Sequence, residues 1–154
     1  MKCAIIGCGR IALNHVKAVR ANGFELAALC DTASGKAEGL LERAEWDGPA
    51  PRIYGGHGEM LAAEPDLDIA AVATESGEHA RIALDCIDAG VNAIIEKPVA
   101  MSMADADEIV RRAEERGVEG IGLPPEPLQR RRAPRPPSRG GRAASGACPT
   151  DRST

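Results

Sequence analysis

A short apolar run that ends in two closely spaced glycines limits what the start of this chain can become. Lys2-Cys3-Ala4-Ile5-Ile6 reads as a buried strand and runs directly into Gly7-Cys8-Gly9-Arg10-Ile11-Ala12, after which the pattern turns helical. Strand, glycine turn and helix in that order give a G-x-G-x-x-A string its meaning. Gly7 permits the tight turn out of the strand. Gly9 has no side chain, so a pyrophosphate can approach the backbone, and Ala12 is small enough for the helix to lie close on a sheet. The helix then directs its unpaired N–H groups and the positive end of its dipole at the phosphates. An acid should stand about 20 positions further on, at the end of the second strand. Leu26 to Cys30 is that strand, and Asp31 ends it. A glycine turn without a ligand is the competing reading; strand, glycines, helix and acid in register disfavour it.

The rest of the chain repeats the alternation. A first helix is predicted over 10–22, with Ala12, His15, Val16 and Val19 on the face turned to the sheet. That placement makes His15 a half-buried packing residue rather than a catalyst. Thr32 or Ser34 should cap a second helix that carries Leu40, Leu41 and Ala44 inward. Residues 46–51 form a loop by their Gly and Pro content, and 52–54 a short third strand. His57 stands among glycines and reads as an exposed loop residue, followed by a short helix from Met60 to Ala63. Leu67 to Ala73 is nearly all apolar, as befits a strand buried on both faces. A turn, Thr74 to Gly77, leads to a helix over 78–89, and a fifth strand over 91–95 delivers Glu96-Lys97-Pro98. Ser102 with Asp105 caps a last helix, Met103 to Arg116, whose buried stripe is Ala106, Ile109, Val110 and Ala113, and Gly117 ends it.

Five rounds of strand and helix predict an α/β fold of Rossmann type, a doubly wound parallel sheet with helices on both faces. Ligands of such sheets collect outside the carboxyl ends of the strands. Gly7 to Arg10, Asp31, Thr74 to Gly77 and Glu96 to Pro98 all fall there.

A chain of 154 residues holds one ordinary domain, and its hydrophobic share of 44% supports a core. Aromatic residues make up only 2%, so that core is built from Ala, Ile, Leu and Val. No apolar run approaches the roughly 20 residues of a membrane-spanning helix. The five cysteines, Cys3, Cys8, Cys30, Cys86 and Cys148, form no C-x-x-C and have no histidine at metal spacing. They read as reduced thiols of a cytoplasmic protein with no metal site. Net charge is −4 overall, but residues 124–154 hold seven arginines against two acids, which leaves the first 123 residues at −9.

At Glu96-Lys97-Pro98 the chain resembles the N-terminal domain of the glucose-fructose oxidoreductase, inositol dehydrogenase and MocA (Gfo/Idh/MocA) family. The matching residues are the glycine loop with His15, Cys30-Asp31, Asp68, Ala73-Thr74 with His79, Ala89-Gly90, and Glu96-Lys97-Pro98. Members are NAD(P)-dependent oxidoreductases that act mostly on sugars and their derivatives. The resemblance implies a cofactor site formed by Gly7, Cys8, Gly9, Arg10, Ile11, Asp31, Thr74, Glu75, His79, Glu96, Lys97 and Pro98. Asp31 would hold the adenosine ribose, Glu96 would stand at the nicotinamide end, and catalytic Lys97 would lie near the reacting hydroxyl, after a Lys-Pro bond that can be cis in such enzymes. A cation beside that oxygen favours its developing charge. NAD is expected over NADP, because Asp31 would repel a 2′-phosphate and Thr32, Ala33 and Ser34 offer no arginine. Partners implied are a sugar-type small molecule and, in full-length relatives, further copies of the chain, with neither nucleic acid nor membrane. Glu75-Ser76 departs from the Pro-Asn often found after the threonine. A non-catalytic NAD(H)-binding or regulatory module is the alternative reading.

The resemblance runs from about residue 2 to 118, and the expected domain boundary follows it: 1–118 as the dinucleotide-binding domain, 119–154 as a disordered Pro/Arg-rich tail. Residues 124–154 contain seven Pro, seven Arg, four Ala and three Gly. Such a stretch buries too little to offset chain entropy. The four residue types share GC-rich codons, so a frameshift after about Val118 is one expectation and a natural linker the other. The family's substrate domain, with its open sheet and aspartate–histidine pair, has no counterpart here, and this chain alone is expected to be inactive. The arginines lack aromatics for base stacking, which argues against a nucleic-acid arm.

Overall fold

The computed structural model describes residues 1–122. Strands β1 (Lys2–Ile6), β2 (Glu25–Cys30), β3 (Arg52–Tyr54), β4 (Ile69–Val72), β5 (Asn92–Ile95) and β6 (Gly120–Gly122) form one sheet in the order β3-β2-β1-β4-β5-β6. Every pairing is parallel. This is the doubly wound order in which the chain reverses direction between β1 and β4. The helices are α1 (Ala12–Ala21), α2 (Lys36–Arg43), α3 (His57–Ala63), α4 (His79–Asp88) and α5 (Met103–Arg116), with a 3-10 turn at Ser76–Glu78.

Strand side chains alternate between faces, so one strand feeds two cores. Cys3 and Ile5 of β1 join Leu26, Leu29 and Ala71 against Ala12 and Val16 of α1 and Ala37 and Leu40 of α2. Ala4 and Ile6 join Ala28, Val72, Ala93 and Ile95 against Ile82, Ala83 and Ile87 of α4 and Ile109 and Ala113 of α5.

Local signals account for most boundaries. Ser102 accepts a hydrogen bond from the Asp105 amide at 3.1 Å, and Gly117 takes a left-handed φ of 66°, so α5 begins and ends where its cap residues dictate. Three expectations fail. Neither Thr32 nor Ser34 caps α2; Gly35 does, at φ 78°, because Asp31 has already taken the Ala33 amide into a tight turn. His57 is not an exposed loop residue. It opens α3 and donates to Asp85 of α4 at 2.8 Å, its side chain only 16% exposed. Val110 is 56% exposed, since α5 turns only Ile109 and Ala113 fully inward.

The proposed boundary at 118 also moves. Residues 120–122 pair with Ala93 to Ile95 as β6, and a Cβ on Gly120 would come within 3.2 Å of Ile109. Gly-Ile-Gly carries almost no strand signal of its own; the sheet edge and the close helix select it. The rest of the expected tail, including Cys148, lies outside the described residues.

Candidate functional site

Backbone hydrogen bonds carry the sheet past its strand ends. Gly7 N–H donates to Cys30 at 2.8 Å, Ala73 N–H to Ile6 at 2.8 Å, and Glu96 N–H to Val72 at 3.0 Å. The carboxyl ends of β2, β1, β4 and β5 thus stand side by side, and each carries one of the sequence motifs.

The glycine loop is shaped from both sides. Gly7 adopts φ 91°, and a Cβ there would lie 2.6 Å from the Ala73 carbonyl oxygen. No other residue fits that position. Gly9 differs, because a Cβ there meets nothing within 4 Å. The space beside Gly9 is therefore open on the side where a Cβ would stand. Cys8 is fully buried, its thiol 3.7 Å from the Cys30 carbonyl. Burial, helped by the Asp31 charge, pushes that thiol up to about 12, so Cys8 offers the site only its backbone. Arg10 and Ile11 are exposed at the start of α1, where no side chain caps the helix and the first amides remain available. Ala12 is wholly buried against the sheet.

Asp31 uses both carboxylate oxygens. Oδ2 accepts from the Cys8 amide at 2.8 Å and Oδ1 from the Ala33 amide at 2.9 Å. It therefore holds the glycine loop and the next turn together.

A cleft of about 640 Å³ opens beside the loop, bordered by Gly7, Gly9, Asp31, Thr74 and Glu75. Lys36, His57 and Arg81 also border it, a basic rim that sequence reasoning missed. The alternation of strand and helix does carry a weak signal for it, since α3 and α4 must begin on this edge.

The remaining expected residues are placed less uniformly. Glu96, Lys97 and Pro98 follow β5, one strand further along the edge, and are not among the residues bordering that cleft. Lys97 and Pro98 are exposed and joined by a cis peptide. Glu96 accepts a hydrogen bond from His15 Nε2 at 2.9 Å, both side chains being mostly buried. His15 thus bears on the site by fixing that carboxylate, a role its helix face alone did not reveal. His79 was expected at the cofactor, but its ring is 1% exposed. Nδ1 donates to the Pro98 carbonyl at 2.7 Å, and Nε2 lies 3.1 Å from that of Thr74. So enclosed, it ties the turn after β4 to the turn after β5. Among the described residues no cluster of His, Cys, Asp or Glu could hold a metal, and no helix is long and apolar enough to cross a membrane.

Residues 1–121 match the model of an oxidoreductase family with an NAD-binding Rossmann fold, Gfo/Idh/MocA. Over 124 residues the chain is 37% identical to D-apiose dehydrogenase of Paraburkholderia graminis, covering 76% of this chain and 30% of that protein. It is 29% identical over 119 residues to α-N-acetylgalactosaminidase of Shewanella oneidensis, covering 74% of this chain and 26% of that protein. The crystal structure of the WlbA dehydrogenase of Bordetella pertussis, in complex with NADH and UDP-GlcNAcA, superposes with a TM-score of 0.71 at 29% identity, over 80% of this chain and 37% of that one. The chain therefore spans about a third of the length of the relatives it matches.

Proposed function

The chain belongs to the Gfo/Idh/MocA oxidoreductase family, and from that premise we propose that residues 1–122 form the cofactor half of an NAD(H)-dependent dehydrogenase acting on a hydroxyl of a sugar or sugar derivative. The observation that carries this is the meeting, on one sheet edge, of a glycine loop with open space at Gly9, an acid at the end of β2, and Glu96-Lys97-Pro98 at the end of β5.

The bound nicotinamide supplies hydride chemistry; the chain's residues bind and orient. Backbone amides of Gly9, Arg10 and Ile11 hold the pyrophosphate, beside the turn that Gly7 and Cys8 create. Asp31 accepts from ribose hydroxyls and opposes a 2′-phosphate. Thr74 and Glu75, with Glu96, would border the nicotinamide end. Lys97 would stand as the proton-bearing group beside the reacting oxygen, and His79 holds the Pro98 and Thr74 carbonyls together. The four buried, unpaired cysteines among the described residues support a cytoplasmic setting.

Likeness to an α-N-acetylgalactosaminidase favours a second reading, glycoside cleavage. Fluorescence titration with NADH and NADPH tests the cofactor half. Tighter NADH binding supports it, and tighter NADPH binding refutes the role of Asp31. A panel of polyols, aldoses and nitrophenyl glycosides with NAD⁺ then separates oxidation from glycoside release.

A further inference from the structure

Arg43 closes the last turn of α2, yet its guanidinium turns back to the glycine loop. Nη2 donates to the Cys8 carbonyl at 3.1 Å and lies 3.5 Å from that of Gly9. Side chains lean toward the start of their helix, so a last-turn arginine can fold back along it. The guanidinium passes over Gly39, one turn earlier, where a Cβ would meet Nη1 at 3.5 Å, an ordinary contact. The charge is felt in the loop, where it opposes the upward push on the Cys8 thiol.

The effect on the loop follows from peptide planarity. In a trans peptide the carbonyl and the following N–H point opposite ways. Drawing the Cys8 carbonyl toward Arg43 turns the Gly9 N–H away from it, and the Gly9 carbonyl does the same for the Arg10 N–H. Among the described residues neither amide meets an acceptor. Asp31 meanwhile holds the Cys8 amide. An anion thus grips the loop by an N–H and a cation grips it by its carbonyls. The donors left over are consecutive, backed by a positive charge, and suited to a polyphosphate oxygen.

We infer that Arg43 is a positioning residue for the pyrophosphate of a bound dinucleotide, fixing the peptide orientation that presents the Gly9 and Arg10 amides. This rests on the cofactor reading above. A last-turn arginine also favours the helix dipole, but that role changes stability and not affinity for a particular ligand.

The test uses the whole 154-residue chain with R43Q, R43K and R116Q. Arg116 also ends a helix and pairs with Asp88 at 3.5 Å, so R116Q removes the same charge from a comparable place. NADH and ADP-ribose are titrated, and circular dichroism and thermal midpoints are recorded. R43Q should weaken both ligands on the order of tenfold, as expected for loss of one charge-assisted contact. R43K should recover most of that loss, and R116Q should leave both affinities unchanged. An R43Q chain that binds both ligands as tightly as R116Q overturns the inference while leaving the cofactor reading standing. If the unsubstituted chain binds neither NADH nor ADP-ribose, the cofactor reading falls and the inference falls with it.

Discussion

His15 of α1 and Glu96, which follows β5, stand 81 positions apart in sequence and share a 2.9 Å hydrogen bond. The His15 side chain is 11% exposed and that of Glu96 14%, so little water can replace either partner. His15→Ala should lower stability by about 1 kcal/mol, the low end for an unsatisfied and partly buried acceptor. It should also weaken NADH, because Glu96 loses its fixed direction. His15→Gln keeps a donor and should restore much of both. Urea melts and NADH titrations measure the two effects. A destabilised His15→Ala chain with unaltered NADH affinity would limit the pair to a structural role.

The two loop glycines should respond oppositely to substitution. Gly7→Ala places a Cβ 2.6 Å from a backbone oxygen at a positive φ, and should cost at least about 2 kcal/mol in stability. Gly9→Val meets nothing in the protein and should leave the thermal midpoint nearly unchanged. Its branched side chain enters the space assigned to the pyrophosphate, so NADH binding should be almost abolished. Normal NADH binding by a folded Gly9→Val chain would mean that the loop is not the cradle.

Alkaline pH should destabilise the domain through its thiols. Burial pushes Cys8 and Cys86 from an ordinary 9.0 up to about 12, and Cys30 up to about 11. The unfolded chain releases these protons first, so stability is full below pH 9 and falls as pH rises through 11 to 12. Urea midpoints between pH 8 and 11.5 should show this. A thiol reagent at pH 8 should label these cysteines quickly only after unfolding.

Glu64 is 1% exposed and holds the edge strand β3 to α3. Its Oε1 accepts from Arg52 Nε at 2.6 Å and from the Tyr54 hydroxyl at 2.7 Å. Arg52→Ala would leave a buried carboxylate with the tyrosine as its remaining side-chain partner, at a cost of roughly 2 kcal/mol after allowing for the exposure of the arginine. Glu64→Leu should cost less, since Arg52 is 66% exposed and can return to water. Denaturation curves of the two variants should keep that order; the reverse order would make the carboxylate itself the stabilising partner.

The parts of this molecule legible in its sequence are those decided within a few residues. Ser102, Asp105 and Gly117 fix α5 through their own backbone geometry, and the apolar runs of β1 and β4 report burial on both faces. The Gly7-x-Gly9 spacing and Asp31 were legible because the turn and the acid end elements whose lengths are set by the sheet. What escaped depends on distant partners. The His15 face points inward as its spacing predicts, but Glu96 can be named as its partner only once the sheet brings the end of β5 within reach of α1. His79 matches a motif, but the two carbonyls that enclose it come from separate turns and are not readable from that motif. β6 is a strand because β5 offers an edge and Ile109 leaves room for Gly120.

The strand order has a consequence for how the domain responds to a ligand. β1, β2 and β3 form one half of the sheet and β4, β5 and β6 the other, joined along the seam where β1 meets β4. Gly9 and Asp31 belong to the first half, Thr74 and Glu75 to the second, and all four border one cleft. A molecule lying across that seam acts as a rivet. At a hundredfold excess over its dissociation constant it adds about 2.7 kcal/mol, and the gain is shared because neither half can open without releasing it. Amide hydrogen exchange should therefore slow together in β2 and β5, on opposite sides of the seam, although the two strands do not touch.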